Sequence, residues 1–148
     1  MNQRFLPQEK LKSKKRITAI FSRGSSQKFY PFVLWYLPGE AGIEYNRLAL
    51  SVPKRRIATA VKRNVIKRRT REAYRLQKEI FAESENNTTY DMVWVYIARE
   101  PLAYDTIAHA VKRGLKHLAT LRALQWICAQ GVTFTPLIKS IMKKRILT

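Results

Sequence analysis

A chain of 148 residues is long enough for one domain with a modest core and too short for two. Apolar residues make up 46% and aromatic residues 11%, which excludes a disordered chain, while 29 Lys and Arg against 10 Asp and Glu leave a net charge of +19. Such self-repulsion points to a habitual anionic partner, nucleic acid first and an anionic membrane surface second.

The only cysteine is Cys128, so an intrachain disulfide and a cysteine-rich zinc site are ruled out and a reducing compartment fits. Met1 to Gln8 lacks the apolar run of a signal peptide, and no stretch approaches the roughly 18 apolar residues of a membrane span. A cytoplasmic location is therefore expected.

In chain order, Glu9 to Arg23 reads as a short basic helix stopped by Gly24. Phe29 to Leu37 is aromatic and β-branched and predicts a strand, with Pro31 favouring an edge or an irregular start and Pro38-Gly39 closing it. Arg47 to Val52 alternates likewise, close enough for an antiparallel hairpin with the first strand. From Ile57 to about Ala82 the period becomes helical, with Ala58, Val61, Val65, Ala73, Leu76 and Ile80 gathered on one side. Arg56, Arg63, Lys67, Arg71 and Lys78 form the other side, and Asn64, Arg68 and Arg75 the adjoining row. After a polar loop, Tyr90 to Ala98 is apolar on both faces, as in a central strand covered by helices. Ile107, Val111, Leu115, Leu118, Leu121 and Leu124 predict a second amphipathic helix, with Lys112, Arg113 and Lys116 on its wet side. Gly131 is expected to terminate the segment after Leu124, and Leu137 to Ile146 is a short basic amphipathic piece, either a docked helix or a loose tail.

Between Lys54 and Arg71 there are nine cations (Lys54, Arg55, Arg56, Lys62, Arg63, Lys67, Arg68, Arg69 and Arg71) and no acid. Like charges four apart on a helix cost a few tenths of a kcal/mol each, so the row is unfavourable until a polyanion pairs with it. Guanidinium forks suit phosphate, and Asn64 among them offers a donor and an acceptor to a base edge or a 2′-hydroxyl. A merely solvated helix face would carry interspersed glutamates, and the first acid here is Glu72.

The run Ala60-Val61-Lys62-Arg63-Asn64-Val65-Ile66-Lys67-Arg68-Arg69-Thr70-Arg71-Glu72-Ala73-Tyr74-Arg75 resembles the signature helix of the protein subunit of bacterial ribonuclease P. Leu11-Lys12-Ser13, Ile20 to Gly24, Leu48 to Val52 and the late strand leading to Arg99 occur in the family's order, so the resemblance spans roughly Pro7 to Ala119. Val65 stands where the family usually has a second motif arginine, and at the helix start it points toward the apolar side, with Arg69 or Lys62 available to supply the cation. Pro53 stands for the usual Ser, Ile57 for a common Gly, and Ile17 for a frequent second Phe.

The resemblance implies an α+β sandwich of the ribosomal-protein-related type, with a small sheet, a long basic helix and a left-handed βαβ crossover over residues 1–122. Residues 123–148 are then a C-terminal extension. It also implies a protein subunit that joins a catalytic RNA to remove the 5′ leader of precursor tRNA, a hydrolysis assisted by Mg²⁺ held mainly by the RNA partner and the substrate. On that resemblance Arg63, Asn64, Lys67, Arg68 and Arg71 face the catalytic RNA, while Phe21, Trp35, Ser51, Lys54 and Arg55 hold the leader, with no catalytic residue and no metal ligand in the protein. Read without it, Phe21 and Trp35 are more readily core residues than surface ones, and charge alone suits a general structural RNA-binding protein. The basic tail and Trp126-Ile127 suit membrane attachment. His109 and His117 have no third ligand or nucleophile in the pattern and read as surface or packing residues, and Asp91 and Asp105 as a strand start and a helix N-cap.

Overall fold

The computed structural model describes residues 4–81 and 88–129. Helix α1 (Lys14–Arg23) leads into strands β1 (Ser25–Phe29), β2 (Phe32–Pro38) and β3 (Arg47–Ser51), then helix α2 (Ala60–Gln77), strand β4 (Tyr90–Tyr96) and helix α3 (Tyr104–Ala129). One sheet holds all four strands in the order β1-β2-β4-β3. Pairing is antiparallel between β1 and β2 and between β2 and β4, and parallel between β3 and β4, so α2 is the crossover between adjacent parallel strands. This is the expected α+β class, with a small sheet and a long basic helix.

Two expectations about pairing are corrected. The run from Phe29 to Leu37 is not one strand: Pro31 cannot donate to a ladder, and the chain turns at Tyr30-Pro31 so that Phe29 pairs with Phe32. Strand β1 precedes the turn and was invisible to alternation, because Ser25, Ser26 and Lys28 are all exposed on a sheet edge. Nor do β2 and β3 form a hairpin. Strand β4, buried at every position but Val95, takes the centre and separates them, as its two-sided apolar pattern predicts.

The sheet has two covered faces. On one, Phe32, Leu34, Leu48, Met92, Trp94 and Tyr96 pack against α2 and α3 through Ile66, Ala73, Tyr74, Ile107, Val111 and Leu115. Gly114 brings α3 onto this face, since a Cβ there would run into the indole of Trp94. On the other, Ile17 and Ile20 of α1 pack with Leu11 onto Val93, Trp35, Leu37, Ala49 and Val95. Ser13 caps α1 by accepting the Arg16 N–H at 3.3 Å, and the Gly24 N–H closes it on the Ile20 carbonyl at 2.8 Å.

Helix α2 buries a different face from the one its apolar residues suggest. It begins at Ala60, leaving Ala58 outside, and buries Ile66, Thr70, Ala73 and Tyr74, while Val61 is 70% and Leu76 43% exposed. The face was disguised by Thr70, whose hydroxyl donates to the Ile66 carbonyl at 2.7 Å and so is satisfied in the core. Val65 is half-buried but neither belongs to the core nor packs against it. Asp105 is not an N-cap either. It lies inside the first turn of α3, where a carboxylate favours the positive end of the helix dipole. Gly131 and Leu137 to Ile146 lie outside the described residues, and α3 runs across position 122 without a break.

Candidate nucleic-acid interface

At 100° per residue the direction opposite the buried face of α2 is occupied by Val61, Asn64, Arg68, Arg71 and Arg75. Asn64, Arg68 and Arg71 are exposed, and Lys67 is half-buried on the flank. Among the described residues Lys62, Asn64, Lys67, Arg68 and Arg71 make no side-chain hydrogen bond or ion pair, so four cations and an amide face outward without protein partners.

Other cations of the same helix, and Lys78 just past its end, are committed to the fold. Nη1 of Arg63 donates to the carbonyls of Ile57 at 2.9 Å and Ala58 at 2.7 Å, bracing the loop that carries Lys54 and Arg55 into α2. Arg69 donates to the Leu102 carbonyl at 2.7 Å ahead of α3, which leaves Lys62 as the freer of the two cations considered in place of the missing motif arginine. Arg75 pairs with Glu72, whose carboxyl is held below its ordinary range by that hydrogen bond, and Lys78 pairs with the buried Glu9 at 3.2 Å.

The second group of expected residues lies on the α1 face of the sheet. Phe21 is 42% exposed, which removes it from the core, and its ring meets Trp35 edge-on with centroids 5.2 Å apart. Trp35 is half-buried and packs into the small cluster under α1, so it is part of the packing and part of the surface. Ile17 belongs to that same cluster as support. The strand registers set Trp35, Val93 and Ala49 in one transverse row and Val33, Val95 and Ser51 in the next. Lys28 extends the second row at the β1 edge, exposed. The structure thus joins Phe21 to Trp35 and puts Ser51 in the adjoining row, while Lys54 and Arg55 come three and four residues after β3 and are exposed.

Three features escaped the sequence reading. Asp91 is a fully buried carboxylate rather than a simple strand start, gripped by Arg16 of α1 at 2.6 Å and by both Nε and Nη2 of Arg47 at 2.7 and 2.6 Å. Arg47 also reaches Glu40 at 2.9 Å, and its hydrogen bond to Asp91 pushes its already high pKa upward. Around the β3 edge a groove of about 280 Å³ is lined by Lys10, Lys12 and Arg71 over Leu11, Ile17 and Leu50, joining the α1 side to α2. His117 accepts or donates a hydrogen bond with the Tyr36 hydroxyl at 3.3 Å and packs on Phe29; burial holds its pKa below the ordinary histidine value. His109 is exposed.

Among the described residues no three His, Cys, Asp or Glu side chains converge, and the one buried aspartate is consumed by two arginines. These residues do not fit a metal site, and no helix among them is long and apolar enough to cross a membrane.

The family model described as Ribonuclease P matches residues 5–122. The chain belongs to the ribonuclease P protein family. Its relatives include the ribonuclease P protein component of Porphyromonas gingivalis, 31% identical over 114 residues that cover 75% of this chain and 83% of that one. The corresponding component of Shouchella clausii is 39% identical over 111 residues, with the same two coverages. The fold agrees: the ribonuclease P protein of Thermotoga maritima superposes with a TM-score of 0.61 at 25% identity, covering 73% of this chain and 96% of that one. Family membership makes this an RNA-binding protein of tRNA processing, and it gives the unpartnered cations of α2 a context.

Proposed function

We propose that the protein is the subunit that carries a catalytic RNA on α2 and the 5′ leader of precursor tRNA on the opposite face of the sheet, assisting hydrolytic removal of the leader. The observation that carries this reading is the separation of two surfaces of different character. One is a row of unpartnered cations and an amide on α2. The other is an exposed aromatic edge beside a shallow strip of sheet on the α1 side. A long structured polyanion is matched by the first, through phosphate contacts from Lys67, Arg68 and Arg71 and a base-edge or 2′-hydroxyl contact from Asn64. A flexible single strand is matched by the second, with a base stacked at Phe21 and Trp35, Ser51 hydrogen bonding, and Lys54 and Arg55 tracking the backbone. Arg63 serves the first surface at one remove, by bracing the loop in front of the helix.

In this reading the protein lowers the electrostatic cost of bringing two RNAs together, and the bond is broken by the RNA with its Mg²⁺. The RNA-binding domain in this reading is residues 1–122, with residues 123–148 as a C-terminal extension. The protein works in the cytoplasm, without a membrane partner.

The test is reconstitution. Purified protein mixed with a bacterial ribonuclease P RNA at low Mg²⁺ is expected to release the leader from precursor tRNA, with neither component active alone under those conditions. Cleavage by the protein alone, or RNA activity unchanged by it, overturns the reading. Equal binding of substrates with and without a leader would leave a general RNA-binding protein instead.

A further inference from the structure

We infer that Arg16, anchored on Asp91, is a positioning residue that fixes α1 over the sheet and thereby sets the place of Phe21 at the leader surface. The inference rests on the proposed leader surface and goes beyond it by naming what holds that surface in shape.

Helix α1 has only ten residues, too few to persist alone. Its apolar grip is Ile17 and Ile20 on Val93, Trp35, Leu37 and their neighbours, and such burial is non-directional: it holds the helix down without choosing its slide or its rotation. Direction comes from Arg16. Its Nε donates to Asp91 Oδ2 at 2.6 Å and its Nη2 to the Pro38 carbonyl, so one planar guanidinium spans two acceptors on neighbouring strands. Of the two, Asp91 is the buried and doubly held one, while Pro38 closes β2 at the surface. Asp91 lies on the central strand, in the row of Leu37 and Arg47, and its carboxylate is locked a second time by the Arg47 fork.

Phe21 lies five residues beyond Arg16, about 7.5 Å along the helix axis. It reaches the next row of the sheet, where its ring touches Trp35 edge-on. An exposed aromatic held by one edge contact keeps its position only if the helix beneath it does. A buried carboxylate in a strand otherwise filled by Tyr, Met, Val and Trp is costly to desolvate, so the pair is weak evidence of added stability, and what it supplies here is the fixed direction of the Arg16 guanidinium.

The test is a double-mutant cycle in the protein reconstituted with the catalytic RNA. Arg16→Met keeps the apolar stem and leaves Asp91 paired with Arg47, so the sheet retains its buried pair. Binding is measured for precursor tRNA and for the same tRNA without a leader. Phe21→Ala is expected to weaken leader-bearing substrate roughly fivefold or more, the lower range for one lost stacking platform. Arg16→Met should weaken it to a similar degree, and the double variant no further than Phe21→Ala alone, because both act on the same contact. Leader-free tRNA and catalytic RNA should bind all variants alike, and Arg16→Lys should recover part of the loss. Parent-like leader affinity in Arg16→Met, or losses that multiply in the double variant, overturns the inference while leaving the leader surface standing. Parent-like leader affinity in Phe21→Ala overturns the leader surface and the inference with it.

Discussion

Replacing Arg68 and Arg63 in turn separates cations that meet RNA from cations that build the surface. Arg68 is exposed and has no protein partner among the described residues, so Arg68→Ala removes charge without touching the fold. Each neutralised phosphate contributes about 0.7 to 0.9 to the slope of log affinity against log salt. Across a rise from about 50 to 200 mM salt, the parent should therefore lose about threefold more affinity for the catalytic RNA than Arg68→Ala does. Arg63→Ala has a different signature, because it deletes the donor to the Ile57 and Ala58 carbonyls. Hydrogen bonds from a charged donor are worth about 1.5 to 3 kcal/mol when well buried, and the partial exposure of this loop reduces the pair to about 1 to 2 kcal/mol. At about 2 to 4 °C per kcal/mol for a chain of this size, the melting temperature should fall by about 2 to 8 °C. Binding by fluorescence anisotropy over a salt series, with a thermal melt of each protein, gives both quantities. An unchanged salt slope in Arg68→Ala would refute a phosphate contact there. A slope lowered by one phosphate at unchanged melting temperature in Arg63→Ala would refute the bracing role.

Gly114→Ala should destabilise the protein by about 1 to 3 kcal/mol in a denaturant titration, since the added methyl meets the Trp94 indole and the helix must shift. Phe21→Ala should lower leader affinity while leaving the melting temperature nearly unchanged, because the ring is 42% exposed; a large melting shift would return it to the core. His117 is depressed in the fold by burial, so the unfolded chain takes up its proton first. Stability is therefore full above the ordinary imidazole value of 6.5 and declines as pH falls from there toward the lower folded value. His117→Gln should flatten that part of the melting profile.

Local signals were read correctly where one stretch of chain decides its own state. Gly24 stops α1 as expected, β4 is apolar on both faces, and α3 keeps its stripe through Ile107, Val111, Leu115 and Leu118, whereas α1 starts at Lys14 behind the Ser13 cap and not at Glu9, because Lys10 is bridged to Leu48 of β3. The cation row of α2 is legible because nine cations between Lys54 and Arg71, six of them in the helix, stand without an acid and have few purposes. The features that escaped depend on partners far away in sequence. Nothing around Asp91 announces Arg16, 75 residues earlier, and nothing in the motif says that Arg63 turns back on its own loop. The pairing order failed for the same reason: β2 and β3 look like a hairpin until a later and more apolar strand claims the place between them. Thr70 shows the converse, a polar letter that a single hydroxyl-to-carbonyl bond makes fit for the core.

The central place of β4 has a consequence for the growing chain. Before residues 90–96 leave the ribosome, the β1–β2 hairpin and the lone β3 have no strand in common, and α2 has no finished sheet to lie on. Closure then comes late and through contacts of long sequence separation, which is the slow kind. Until it does, the nine-cation segment has no fixed helix face to present to RNA, and Arg69 lacks the Leu102 carbonyl that engages it in the finished fold.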